Sequence, residues 1–207
     1  MRVARGIALR LDSVGDIRKD FDYVFELFQV LFPETSLTEM RTAKIPADNS
    51  FLPADEYGLF EAYCDDEDCD CRRVFFNVIS RKRNDLVAVV AYGWESEAFY
   101  KKWWGGEPDN EIKRLAINEM RGLVLNSASP QSELAPAILK LVAHLLEDSE
   151  YVARIKRHYQ MFKEKVDPKH FRKSDARAGR IANLTYSNSN EKDIIPSSKK
   201  TRKRRRN

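Results

Sequence analysis

An α+β fold, with a small antiparallel sheet packed by about four helices, is what this sequence predicts, and three observations predict it. Three runs rich in β-branched and aromatic residues follow one another between residues 57 and 94, separated by short charged turns. Two stretches beyond residue 129 repeat apolar residues every three or four positions. Hydrophobic residues make up 43% of the 207 and aromatic residues 11%, enough to fill a core, so the body is not of the disordered class.

Along the chain, Asp16 to Phe32 reads as a first helix, since Phe21, Val24, Phe25, Phe28 and Leu31 or Phe32 recur at helical spacing and Pro33 stops the pattern. Glu34 to Asp55, with Pro46 and Pro53, reads as a surface loop that admits a short helical turn near Leu37–Thr42. "YGLFEAYC" (Tyr57–Cys64), "RRVFFNVIS" (Arg72–Ser80) and "DLVAVVAYGW" (Asp85–Trp94) then predict an antiparallel meander. Ser96 is placed to cap a short helix that Gly105 and Gly106 end, with Phe99, Tyr100, Trp103 and Trp104 as a core or partner-facing aromatic cluster. Ser129–Asp148, with a stripe of Leu134, Ile138, Leu141 and Leu145, and Ser149–Val166, with Tyr151, Ile155, Phe162 and Val166, predict two helices joined by a tight break. Helices are thus expected near residues 16–32, 96–104, 133–147 and 149–165. Pro168 follows the last of them, and residues 168–207 read as a largely disordered basic tail behind a single domain over residues 1–167.

Charge is distributed unevenly. The formal net charge is +4, yet residues 1–150 carry −9, residues 151–187 carry +7 and residues 188–207 carry +6. Such polarity points to an anionic partner for the basic end, nucleic acid or another polyanion, met through Lys199, Lys200, Arg202, Lys203, Arg204, Arg205 and Arg206. A protein partner is the other expectation. The first residues, "MRVARGIALRLDSVGD", lack the apolar stretch and cleavage site of a signal peptide, and no run approaches a membrane span, so a cytoplasmic location is expected.

All three cysteines, Cys64, Cys69 and Cys71, fall within eight positions in "YCDDEDCDCRRVFF". Chance would produce that clustering roughly a few times in a thousand. Three thiols cannot all pair, and Cys69 and Cys71 are too close for an easy bridge. Converging thiolates on a hairpin turn in a reducing compartment suit zinc, which takes soft sulfur donors in tetrahedral geometry, so the spacing C-x4-C-x-C predicts one structural zinc clipping the first hairpin. Calcium does not fit: an EF-hand loop from Asp66 would need Gly where Cys71 stands and Glu where Asn77 stands. A redox pair would need C-x-x-C.

A fourth ligand is then required. His158 lies within the inward stripe of its helix, whereas His144 sits at the edge of its own and His170 follows a helix-ending proline. An inward histidine is ordinarily a satisfied core residue; the incomplete thiolate set is what nominates His158, with Asp66, Asp70 or a water as the other candidates.

The turn Tyr63–Arg73 and the "KRHY" at Lys156–Tyr159 resemble an uncharacterised bacterial family that shares a Y-C-D-D-x-x-C-D-C-R-R turn and a late K-R-H-Y helix. The resemblance spans roughly Gly58 to Lys163 and implies no activity. No glycine-rich phosphate loop, G-x-S-x-G or H-E-x-x-H is present. The expectation is a zinc-stabilised binding or adaptor module rather than an enzyme. The alternative is a metal-dependent hydrolase using Cys64, Cys69 and Cys71 with an open coordination position.

Overall fold

The structure is a computed structural model and describes residues 25–47 and 51–168, which lie in one compact unit reaching Pro168. The architecture is α+β, as expected. Among the described residues, six strands form one antiparallel sheet: β1 (Phe25–Leu27), β2 (Arg41–Ile45), β3 (Asp55–Cys64), β4 (Arg73–Ser80), β5 (Asp85–Gly93) and β6 (Gly122–Leu125). The order is β1-β3-β4-β5-β6, and β2 also pairs with β3. β1 covers the Cys64 end of β3 (Phe25 opposite Cys64) and β2 the other end (Ile45 opposite Asp55), so the two short strands share one edge. The expected meander is β3, β4 and β5. β3 is buried on nearly every residue and β4 and β5 on most of theirs, which is why their sequences read as apolar runs rather than alternation.

The helices among the described residues are α1 (Phe28–Leu31), α2 (Pro33–Glu39), α3 (Glu97–Trp103), α4 (Glu111–Met120), α5 (Ala135–Leu145) and α6 (Ser149–Val166). Ser96 caps α3 by accepting from the Phe99 amide, and Asp148 caps α6 by accepting from the amides of Glu150 and Tyr151. α6 lays Tyr151, Ile155, His158, Tyr159, Phe162 and Lys163 into the protein. Tyr151 meets Phe76 of β4 and Phe162 meets Tyr63 of β3.

Three expectations are corrected. Of the helix expected to run to Phe32, Phe28–Leu31 is helical, but residues 25–27 form β1, because the edge of β3 offers backbone partners and Phe25 packs on Phe75 at 4.1 Å. Residues 16–24 lie outside the described residues. Pro33 follows the end of α1, as expected, and it also occupies the first turn of α2, where its missing N–H costs nothing. The stretch expected as a loop from Glu34 holds α2 and then β2, a strand that forms because β3 has a free edge there. The helix expected from Ser129 begins at Ala135, since Gln131 and Ser132 are committed to the backbone of Val89 and Val87 on β5. α4 and β6 carry no signal that the sequence reading used. The tail beyond Pro168 lies outside the described residues.

Of the aromatic cluster on α3, Tyr100 is buried, Phe99 half-buried, and Trp103 and Trp104 are 39% and 41% exposed. The core role therefore falls to Tyr100.

Candidate metal centre

β3 ends at Cys64 and β4 begins at Arg73, leaving an eight-residue turn. The Cys69 amide donates to the Asp66 carbonyl at 3.2 Å, and the Asp68 amide donates to Asp66 Oδ1 at 3.1 Å, so the aspartates fold the tip locally. Arg72 stands at φ 48°, in the left-handed region, and that kink turns the chain from Cys71 into β4. The outcome is convergence: the sulfurs of Cys64, Cys69 and Cys71 all lie within 4.8 Å of one another, as free thiols. A tetrahedral ion with sulfurs at about 2.3 Å separates them by roughly 3.8 Å, so the donor set fits such an ion.

Two elements clamp the turn. On one side, Cys64 (3% exposed) and Cys71 (4% exposed) pack with Tyr100 of α3 and Ile117 and Met120 of α4. The Tyr100 hydroxyl donates to the Arg72 carbonyl at 3.1 Å. On the other side stands α6. Tyr159 donates its hydroxyl to Asp70 Oδ1 at 2.9 Å, and Lys163 donates from Nζ to the Asp66 carbonyl at 2.6 Å and the Cys64 carbonyl at 3.5 Å. Arg72 ties the turn to the start of α3: its guanidinium holds Asp70 through Nε and Nη2, reaches Glu95 at 3.0 Å and covers the Phe99 ring at 4.7 Å.

The thiols share charge unequally. Cys69, the half-exposed one, has its pKa pushed down to about 3, because its sulfur accepts from the thiols of Cys64 and Cys71 and from the Cys71 amide, with the Lys163 charge adding to the effect. The Cys64 thiol is pushed up by serving as donor to Cys69. The Cys71 thiol is pushed well up, by donating to Cys64 and Cys69 and then by burial. The cluster thus favours negative charge on Cys69 over Cys64 and Cys71, and a thiophilic cation would compete with the thiol protons.

The structure does not bring His158 to this cluster, which corrects its nomination as fourth ligand. His158 does point inward and is 1% exposed, but its Nδ1 faces Glu61 Oε2 at 2.7 Å and its Nε2 faces Glu39 Oε2 at 3.1 Å. Its ring stacks on Phe28 at 4.3 Å. The reason is axial position. His158 sits at the level of Glu61, three residues before Cys64 on β3, a rise of about 10 Å along a strand. The residues of α6 one and five positions later, Tyr159 and Lys163, are the ones that reach the turn.

Asp70 is already committed to Arg72 and Tyr159, and Asp66 is exposed with Oδ1 on the Asp68 amide. Among the described residues, the ligand atoms that share one point are the three sulfurs. Sequence reasoning passed over Tyr159 and Lys163; the available signal was a lysine at i+4 and i+8 from Tyr159 and Ile155, inside the apolar stripe of α6. Lys199, Lys200, Arg202, Lys203, Arg204, Arg205 and Arg206 lie outside the described residues.

No family model, curated protein or solved structure matches this chain. No helix of the described residues is long and apolar enough to cross a membrane.

Proposed function

We propose that this chain is a zinc-binding module in which Cys64, Cys69 and Cys71 clip the β3–β4 hairpin, and that it acts as a binding or adaptor protein in the cytoplasm rather than as an enzyme. The observation that carries the reading is the meeting of three sulfurs within 4.8 Å at the end of the sheet. Two of them are buried against α3 and α4, so occupying the site ties three elements together, the arrangement of a structural ion. The basic run Lys199–Arg206 is the part proposed to meet nucleic acid or another polyanion, by displacing counterions in a salt-sensitive, sequence-independent way.

Purified protein is expected to carry about one zinc per chain by elemental analysis, with all three thiols protected from a labelling reagent until the metal is stripped. Absence of zinc with three freely reactive thiols overturns the reading. Truncation after Pro196 is expected to abolish most low-salt binding to DNA or RNA; equal binding with and without residues 197–207 removes the polyanion role.

A second reading, a metal-dependent hydrolase, is favoured by one observation: the cluster counts three protein donors among the described residues, and its half-exposed member Cys69 leaves a side for a fourth. A metal-bound water that exchanges freely, with turnover of model esters or phosphoesters by the zinc form, would select it.

A further inference from the structure

The three sulfurs that meet at the cysteine turn are unequally accessible. Cys64 and Cys71 are buried against Tyr100, Ile117 and Met120, whereas Cys69 stands half-buried at the tip. Its sulfur nevertheless lies within 4.8 Å of both others. The turn is pinned from behind: Lys163 Nζ donates to the carbonyls of Cys64 and Asp66, and the Asp66 carbonyl also accepts from the Cys69 amide. The backbone between Cys64 and Cys69 is thus held at its middle, and side-chain rotation can bring those two sulfurs to the bonding distance of about 2.05 Å. Cys71 is the poorer partner for Cys69, since the single residue between them closes a strained ring.

We propose that Cys69 is a modification site for hydrogen peroxide, that Cys64 resolves the product as a disulfide, and that this oxidation discharges the ion from the turn. The disulfide rests on the sulfur geometry alone; the discharge rests also on the metal reading above. In the first step the Cys69 thiolate attacks one peroxide oxygen. An S–O bond forms, the O–O bond breaks, and hydroxide leaves and is protonated to water. In the second step the Cys64 sulfur attacks the Cys69 sulfur. An S–S bond forms, the S–O bond breaks, and the oxygen leaves as water with the Cys64 proton, or with a proton from solvent where Cys64 had bound the ion. Two thiols lose two electrons and one peroxide becomes two waters. Cys71 is then the one sulfur donor remaining among the three, too few to hold a tetrahedral ion. The event is a stoichiometric oxidation and asks for no C-x-x-C turnover.

The class of oxidant follows from the surroundings. Asp65, Asp66, Glu67 and Asp68 are all exposed around the tip, while Asp70 is paired with Arg72. Their field opposes an anionic oxidant, and a half-buried sulfur favours a small one. Hydrogen peroxide meets both conditions; oxidised glutathione, large and negatively charged, meets neither.

Full-length protein, loaded with zinc and freed of excess, is treated with hydrogen peroxide. A chromogenic chelator follows the zinc, and peptide mapping follows the thiols. Expected are one Cys64–Cys69 disulfide per zinc released, a free Cys71, and dimedone label on Cys69 when that reagent is present during oxidation. In Cys64→Ser the Cys69 label is expected to rise several-fold, because the sulfenic acid has lost its resolving thiol. Should that variant misfold, the wild-type map decides: first oxidation at Cys64 or Cys71, or a disulfide that excludes Cys69, overturns the inference. Wild type that binds zinc, and keeps both the ion and three thiols through excess peroxide, overturns the inference and leaves the metal reading standing. Wild type that binds no zinc yet forms the Cys64–Cys69 bond overturns the metal reading with the discharge, and supports the modification site. At low salt, cationic cystamine is expected to form a mixed disulfide with Cys69 roughly tenfold or more faster than oxidised glutathione. Equal rates overturn the role of the acidic tip.

Discussion

His158 and Glu61 show what a buried polar pair does at the level of single residues. Glu61 lies deep on β3, where one carboxylate oxygen accepts from the Tyr63 hydroxyl at 2.6 Å and faces His158 at 2.7 Å, while its other oxygen has no hydrogen-bond partner among the described residues. The imidazole also faces Glu39, itself paired with Arg157, so the residue links α6 to the end of α2. His158→Ala is expected to cost about 3–5 kcal/mol, because it strands a buried carboxylate and opens a gap beside Phe28. Urea unfolding measures that loss, and zinc content should stay at about one per chain in whatever fraction folds. His158→Gln, which keeps a donor for Glu61, is expected to lose less. A fall in metal content out of proportion to the folded fraction would return His158 to the ligand set.

Between elements, the packing is tight at Gly93, the last residue of β5. A Cβ there would stand 2.0 Å from the Met120 carbonyl oxygen and 2.5 Å from the Tyr100 hydroxyl. Gly93 pairs with Arg73 on one side and Gly122 on the other, so the contact lies where β4, β5, β6, α3 and α4 meet. Gly93→Ala is expected to destabilise by about 2–3 kcal/mol or more. It should also weaken zinc binding, since the displaced Tyr100 is the residue that donates to the Arg72 carbonyl and packs on Cys64 and Cys71. Thermal unfolding with and without added zinc separates the two effects. A melting temperature within a degree of wild type would show that α4 yields at no cost.

Across the molecule, the cysteine turn joins the end of the sheet to α3, α4 and α6, so metal and global stability are linked. At free zinc about a thousandfold above the dissociation constant, the linkage is worth about 4 kcal/mol. For a domain of this size that corresponds to a shift on the order of 10 °C. A strong chelator is therefore expected to lower the melting temperature by about that amount, and Cys69→Ser to do so without chelator. Melting curves that stay unchanged in both cases would make the site peripheral to folding.

Wherever the cause was local, the amino-acid sequence by itself determined the outcome. The β-branched and aromatic runs specify β3, β4 and β5, the helical stripes specify α5 and α6, Ser96 starts α3, and the spacing of Cys64, Cys69 and Cys71 marks the site. Tertiary structure decided what depends on partners distant in the chain. Phe25 extends as β1 because Cys64 lies opposite it, and residues 41–45 become a strand because β3 has an edge to offer. Periodicity says that His158 faces inward but not at what height along β3, and the difference between Glu61 and Cys64 is the difference between a buried hydrogen-bonded pair and a metal ligand. The same limit hid Lys163, since a charged residue in an apolar stripe acquires meaning only when the groups beside it are known to be carbonyls of the cysteine turn.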